Sequence, residues 1–435
     1  LLKQLRSQGV LMILAVLTCH AQPAALLERL DRLEAENKRL SDEIAALRKE
    51  LVEAQAKTDE RVQVQETRTA ELDQKKVASS QKMPVEITGM LLFNAFRNGP
   101  YSGTFASDPT AANSSYGARS TGATFRQTVL GLRFYGPDLP GGGKVSGNVY
   151  MDFFSGSLQP GNNVFHLRVA TIDLGWKDTT ITVGQDKPII APREPTSLAQ
   201  VGVSPLTGAG NLWQWQPQAR IEQRFTLSEH SELRAQAGVF ESDEPANSVP
   251  APYTNTLGIW RPAYETRVEY AYSLGGMRFE IAPGFHASTS RVAGQSVPSR
   301  AVSLDGLVRF SSRWELAGAW FAGKNLAGLG TLRQGFSILP SGAAIPIHID
   351  GGWAQATFTA TPRWSFHVFG GEEFDRPTDL TGNAISRNFV YGGNAMWKLA
   401  PNVIAALEAS QARTNYLISG TRLNNHYDLA LAYLF

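Results

Sequence analysis

The segment Asn424–Phe435 (NNHYDLALAYLF) alternates residue by residue. Tyr427, Leu429, Leu431, Tyr433 and Phe435 share one face of an extended chain, and His426, Asp428, Ala430, Ala432 and Leu434 share the other. A period of two, with one apolar face and one smaller, more polar face, is the pattern of a barrel strand in lipid. A soluble sandwich would leave that apolar row on a sheet edge, where it invites aggregation. The alternation recurs upstream. Phe279, Ile281 and Phe285 oppose Arg278, Glu280 and His286; Val302, Leu304, Val308 and Phe310 oppose Ser303, Asp305 and Arg309; Trp364, Phe366 and Val368 oppose Ser365 and His367.

Two kinds of connection separate such segments. Short ones carry turn chemistry: Gly136–Gly143, Lys177–Thr180, Ser228–Ser231, Ser273–Gly276, Ser311–Arg313, Thr361–Arg363 and Leu399–Asn402. Long ones alternate with them: Arg97–Gly122, Ser155–Asn163, Lys187–Gln216, Glu241–Arg261, Ser288–Ser299, Lys324–Ile347, Arg376–Ser386 and Asn415–Arg422. This alternation predicts an all-β, transmembrane antiparallel β-barrel of about sixteen strands, from Val85–Ala95 to a last strand closing at Phe435. Trp176, Trp314, Trp364 and Trp397 fall at or beside short turns, as an aromatic girdle would. A charge facing lipid at the midplane costs roughly 2–4 kcal/mol, so charged strand positions are assigned inward and the lumen is expected to hold water.

The first 83 residues follow other rules. Residues 1–21 read as a signal peptide, with Lys3 and Arg6 ahead of the apolar run Val10–Leu17 and a small-residue cleavage site ending at Ala21. Residues 22–56 predict an α-helical coiled coil whose seam includes Leu30, Leu33, Asn37, Leu40, Ile44, Leu47 and Leu51, spaced alternately by three and four. A helix of this length is marginal alone, so the seam points to self-association without settling dimer against trimer. Residues 57–83 form a polar linker, and 84–435 the barrel.

Composition sharpens this picture. Charged residues are 18% and glycines number 40, and mean hydropathy is slightly negative at −0.19, as expected where lipid-facing and water-facing residues alternate. Beyond the N-terminus no apolar run approaches the roughly 18 residues of a membrane helix. A net charge of +2 argues against nucleic acid as a partner. Cys19 is the only cysteine, so no intrachain disulfide or thiolate metal site forms.

The inward phases of the middle strands carry Arg220, Glu222, Arg224, Arg234, Glu265, Arg267, Glu269, Arg278, Glu280, Asp305 and Arg309. As pore-lining residues they would sort solutes by charge; alternatively, neighbouring Arg and Glu pair across strands and hold the wall. Lys187–Gln216 is the longest connection, and segments of this length are functional or disordered. A loop folded into the lumen would place Lys187, Arg193 and Glu194 at a constriction, with Trp213 and Trp215 anchoring its return. The alternative is an extracellular flap. No HExxH, GxSxG or GxxxxGK[ST] motif occurs, and no cofactor or metal is expected. His286 and Asp305, on neighbouring strands, are the nearest hint of catalytic chemistry.

The order of parts (signal, heptad helix, polar spacer, then strands ending in Phe435) resembles the DcaP-type trimeric outer-membrane porins and, more distantly, phosphate-selective porins with an N-terminal coiled coil. Gly131–Gly136, Phe165–Gly175, Val183–Gln185 and Trp215–Phe225 are similar to that group's early strands and loop borders. The resemblance implies a homotrimer in the bacterial outer membrane with its coiled coil in the periplasm. It implies partners in outer-membrane lipid and lipopolysaccharide, and a barrel assembly machinery that reads Phe435. The implied function is passive diffusion of small hydrophilic, anionic, dicarboxylate-like solutes, with no catalysis. The phosphate-selective members rely on a dense arginine ladder and a lysine cluster, which this mixture of Arg, Glu and Asp lacks. A phosphate-type channel is one alternative. Another is a non-conducting tether that holds peptidoglycan.

Overall fold

The computed structural model describes residues 84–435 apart from 104–108, 156–163, 242–248, 250 and 333, together with Arg32, Ala35, Lys38, Arg39 and Glu43, which are helical and exposed. The signal segment, the heptad seam and the linker lie outside the described residues. The chain divides after Lys82, and the unit that follows is built from strands.

These are β1 (Val85–Asn98), β2 (Thr121–Thr124), β3 (Val129–Leu139), β4 (Gly143–Ser155), β5 (Val164–Gly175), β6 (Thr179–Asp186), β7 (Gln216–Ser228), β8 (Ser231–Phe240), β9 (Gly258–Leu274) and β10 (Met277–Val292). They continue as β11 (Gln295–Arg309), β12 (Trp314–Lys324), β13 (Phe336–Ile338), β14 (Ala344–Pro346), β15 (His348–Thr361), β16 (Trp364–Asp375), β17 (Ile385–Ala400), β18 (Val403–Tyr416) and β19 (Gly420–Leu434). Each pairs antiparallel with its neighbour, and β19 returns to β1, with Leu431 opposite Phe93 and Asp428 opposite Phe96. β2 and β3 both pair with β1 and are halves of one strand interrupted at residues 125–128, so the 17-stranded sheet is a closed barrel of 16 strands. The hairpin β13–β14 stands apart from it. Closure leaves no edge: Gly89 and Phe435 exchange both backbone hydrogen bonds, at 2.9 and 3.1 Å.

The outward phase is the apolar one. On β19, Leu429 and Leu431 are about half exposed while Ala430 and Ala432 are buried, and the same alternation runs along β9 through Tyr264, Val268 and Tyr270. Such a band, around a closed sheet with no unpaired backbone, is a surface for lipid. Trp364 and Trp397 stack at 5.3 Å at its short-turn end, beside Trp314 packed on Phe358 at 4.6 Å.

Three expectations change. Ser288–Ser299 and Asn415–Arg422 are not long loops. β10 and β11 stay paired up to Val292 and Gln295 around an Ala293-Gly294 turn, and β18 and β19 up to Tyr416 and Gly420. Beyond the apolar band both faces of a strand can be polar, so alternation fades while backbone pairing continues. Not every charge faces inward either: Glu372 and Arg387 lie on the outward phase and pair with each other near the long-loop end. The lumen, finally, is not lined by polar groups alone. Phe321, Ile349, Trp353, Phe369 and Val390 point inward and are buried in small apolar clusters.

Leu429 lies between Tyr427 and Tyr433, and Leu423 nearer the long-loop end, both on the outward phase. Leu429→Arg is expected to destabilise the barrel in lipid vesicles by about 2–4 kcal/mol, and Leu423→Arg by about 0–1 kcal/mol, in guanidinium unfolding.

Candidate functional site

After β6 the chain must reach β7 through residues 187–215, and its prolines, at 188, 192, 195 and 205, cannot donate to a ladder. The segment instead finds partners on inward side chains. The N–H groups of Ile189 and Ile190 donate to Glu265 Oε2 on β9 at 2.8 and 3.4 Å. Thr196 N–H donates to Gln355 on β15 at 2.7 Å, and Ser197 Oγ to Glu408 on β18 at 2.6 Å. Asn94 on β1 donates to Leu198 O at 2.8 Å, and Gln127, in the β2–β3 break, donates to Ala199 O at 2.8 Å. On the way back Asn388 of β17 holds Gly208 O at 2.7 Å. Gly210 (φ 93°) lies so close to β15 and β16 that a Cβ would strike the carbonyls of Gly352 and Glu372. Trp213 N–H reaches Leu329 O at 2.9 Å, and Trp215 packs on Trp213 and under the Arg168 guanidinium. A segment bound to the inner faces of β9, β15, β18 and β1 lies inside the barrel, not outside as a flap.

Arg193 carries the loop's largest set of ion pairs with the wall. Its Nε donates to Asp305 Oδ1 at 2.7 Å, and its Nη2 to Glu269 at 3.1 Å and to Glu280. Arg267, with a side chain shut off from solvent, holds the same acids from behind, with Nε and Nη2 on Asp305 at 2.7 and 2.8 Å and Nη2 also on Glu269. Arg234 pairs with Glu269 at 2.7 Å, Arg224 with Glu222 at 2.8 Å, Arg220 with Asp186 at 2.7 Å, Arg309 with Glu315 at 2.9 Å, and Arg278 with Glu280. Lys187 and Glu194 pair within the loop at 2.7 Å. Burial alone would raise the Glu194 carboxyl, but the Lys187 ammonium and the Ser204 hydroxyl hold it below the usual carboxylate range.

The charges expected to line a pore are therefore mostly paired, because inward residues on adjacent strands stand within reach of each other. Arg267 and Glu265 are walled in and cannot face a solute: Glu265 serves the Ile189 and Ile190 amides and His286 Nδ1, the last at 2.9 Å. His286 is thus committed to Glu265 and Asp305 to two guanidinium groups, so the pair suspected of catalysis does not meet. Beneath the loop, toward the short turns, a cavity of about 660 Å³ remains, lined by Arg193, Arg224, Arg234 and Arg278, by Glu229, Glu232, Glu269 and Glu280, and by His230 among small hydroxyl residues. The clamps Asn94, Gln127, Gln355, Asn388 and Glu408 were not singled out from sequence. Strand parity alone places them inside, but what they hold depends on a loop far away in the chain.

No family model matches the sequence and no curated protein matches it. The fold is similar to the crystal structure of the outer-membrane channel DcaP of Acinetobacter baumannii, with a TM-score of 0.67 at 14% identity over 81% of this chain and 97% of that one. It is also similar to the anion-selective porin from Comamonas acidovorans, with a TM-score of 0.53 at 13% identity over 81% and 99%. The fold is that of these two outer-membrane channel structures.

Removing Arg193 takes one shared guanidinium from Asp305, Glu269 and Glu280, which keep Arg267, Arg234 and Arg278. The loss therefore falls at or below the cost of breaking a buried ion pair from one side, about 3–5 kcal/mol. Arg193→Ala is expected to lower the unfolding midpoint and, as the loop leaves the wall, to raise single-channel conductance and its noise.

Proposed function

We propose that this chain is an outer-membrane diffusion porin that passes small hydrophilic solutes and prefers anionic, dicarboxylate-like ones. The observation carrying the sign of the preference is an asymmetry within its ion pairs. Arg224 and Arg278 have 52% of their side chains exposed, against 14% and 4% for Glu222 and Glu280. Arg133 and Arg309 are likewise more exposed than Glu86 and Glu315. Acids tucked into the wall and guanidinium groups turned to water present a positive face to a passing solute. Arg220 and Arg234 extend that face.

The solute path runs between the strand wall and the loop 187–215, where Lys187, Arg193 and Glu194 set the constriction. The path catalyses nothing; it substitutes a charged aqueous passage for lipid. Around it we place a signal peptide at 1–21, a periplasmic coiled coil at 22–56 that gathers three copies through the seam from Leu30 to Leu51, and a polar linker at 57–83. Lipopolysaccharide would meet the long-loop rim, and the assembly machinery would read the strand ending in Phe435. Phosphate selectivity is disfavoured by the acids interleaved with the arginines, and a tether by the cavity left beneath the loop.

Planar-bilayer recording across a KCl gradient tests this reading. Conductance steps in groups of three and a reversal potential of anionic sign are expected. Neutralising Arg224 and Arg278 should each lower anion permeability by up to about fivefold, and the anion-to-cation ratio with it, since a unit charge at contact distance in water contributes about 1 kcal/mol. Cation preference, or silence from a folded barrel, would sink the proposal.

A further inference from the structure

The interruption between β2 and β3 carries one residue more than the strand it faces. Asn94 pairs with Thr124 and Met90 with Val129, so residues 125–128 stand against residues 91–93. An extra residue of this kind breaks the ladder locally and re-aims a side chain. Phe125 points outward and packs on Phe93 at 5.1 Å. Gln127 follows it by two and would share that face in an unbroken strand, yet it is fully buried and shares the inward phase of Val129. The Thr128 hydroxyl covers the gap in the ladder, accepting the Leu92 N–H at 3.1 Å and donating to Leu92 O at 3.4 Å. The wall thus gives up backbone pairing here without leaving Leu92 bare in lipid.

The Gln127 amide then uses all four of its hydrogen-bonding positions. Its Nε2 donates to Asn94 Oδ1 at 3.2 Å and to Ala199 O at 2.8 Å, and its Oε1 accepts the N–H groups of Val201 and Gly202 at 2.5 and 2.8 Å. Three of these partners are loop backbone, so the amide grips the course of the chain itself. Around the same stretch, Ser197 Oγ accepts the Ala199 and Gln200 N–H groups at 3.0 and 3.1 Å and closes a turn. Leu198 and Val201 pack on Leu92, Ala430 and Ala432. Gly202 lies against Phe154, where a Cβ would stand 2.4 Å from the ring. Arg126, next to Gln127, lies 5.0 Å from that ring and donates to Phe154 O at 3.0 Å.

We infer that the strand break is a seat for residues 197–202 of the lumen loop, with Gln127 as the positioning residue that fixes how far this stretch stands from the wall and so sets the aperture beside it. A glutamine that only braced the wall would turn its amide along the sheet, as Gln236 does toward Glu222 and Arg267. Gln127 turns its amide across the lumen instead, and the break is what lets it do so. The aperture rests on the porin reading; the seat does not.

Amide hydrogen exchange of the folded full chain in detergent tests the seat. In the wild type the Val201 and Gly202 amides are expected to be protected. Gln127→Met keeps the length of the side chain and removes its bonds, and should speed exchange at both amides roughly tenfold or more. The Ile189 and Ile190 amides, held by Glu265, should be unchanged. Gly202→Ala, which crowds Phe154 and leaves Gln127 in place, should speed exchange at Val201 as well. In planar bilayers Gln127→Met should raise open-channel current noise above that of the wild type. Unprotected Val201 and Gly202 amides in the folded wild type overturn the proposal, and that measurement needs no variant to fold. Exchange that Gln127→Met leaves unchanged overturns it, and so does equal acceleration at Ile189 and Ile190, which would make Gln127 a general prop of the fold. Unchanged noise in a conducting Gln127→Met channel removes its hold on the aperture. A wild type silent in bilayers sinks the porin reading, while its exchange pattern still decides the seat.

Discussion

In lipid a backbone N–H or C=O without a partner costs several kcal/mol, and a sheet can avoid that only by closing on itself. The pairing of β19 with β1 is therefore the contact on which the other features rest. It forces each strand to show one face to hydrocarbon and the other to the interior, and so dictates the alternation from Tyr427 to Tyr433. It also creates an interior wide enough that inward side chains do not fill it. Residues 187–215 form a second layer against the barrel's inner face.

That second layer is held by matched polar chemistry more than by burial of oil. Arg193 enters a nest of Asp305, Glu269 and Glu280 that Arg267 already half neutralises, so the loop completes a charge balance begun in the wall. Ile190, Leu206 and Leu212 add apolar contacts with Phe321, Ile349, Trp353 and Phe369 on either side. Isolated surface ion pairs contribute little, but a guanidinium shared among three acids in a mostly buried site also fixes where the loop lies.

Much of this was legible in the chain. Period-two alternation and turn chemistry located the strands because lipid punishes exceptions, and the closing strand was the clearest case. The longest connection marked the loop, and Arg193, Lys187 and Glu194 were visible as its charges. What they touch was not visible. Asp305 lies 112 residues beyond Arg193, and parity says that Asp305 points inward without saying that a loop and a wall four strands away coincide. The paired tips of β10–β11 and β18–β19 were missed because they rise above the apolar band, where Ser, Gly and Asn make strand and loop look alike. The inward Phe321, Trp353 and Phe369 were hidden by the same rule that found the strands. An apolar residue on the inner phase makes sense only once the loop that covers it is known.

The two ends of that loop differ in kind. Near β9–β11, acids meet fixed guanidinium groups, a balance the chain carries within itself. Near β17–β19, Glu408 and Asp428 face each other with only Ser197, Asn394 and Asn94 as donors, a balance the described side chains leave incomplete. Both walls bury carboxylates in the same protein, so burial alone does not explain the difference. The first arrangement holds the loop whatever the solution contains. The second holds the loop through neutral donors, on the side where Asn94 and Gln127 tie the loop to the barrel's closing strands. The loop's position is thus fixed at one end by ion pairs and at the other by neutral hydrogen bonds.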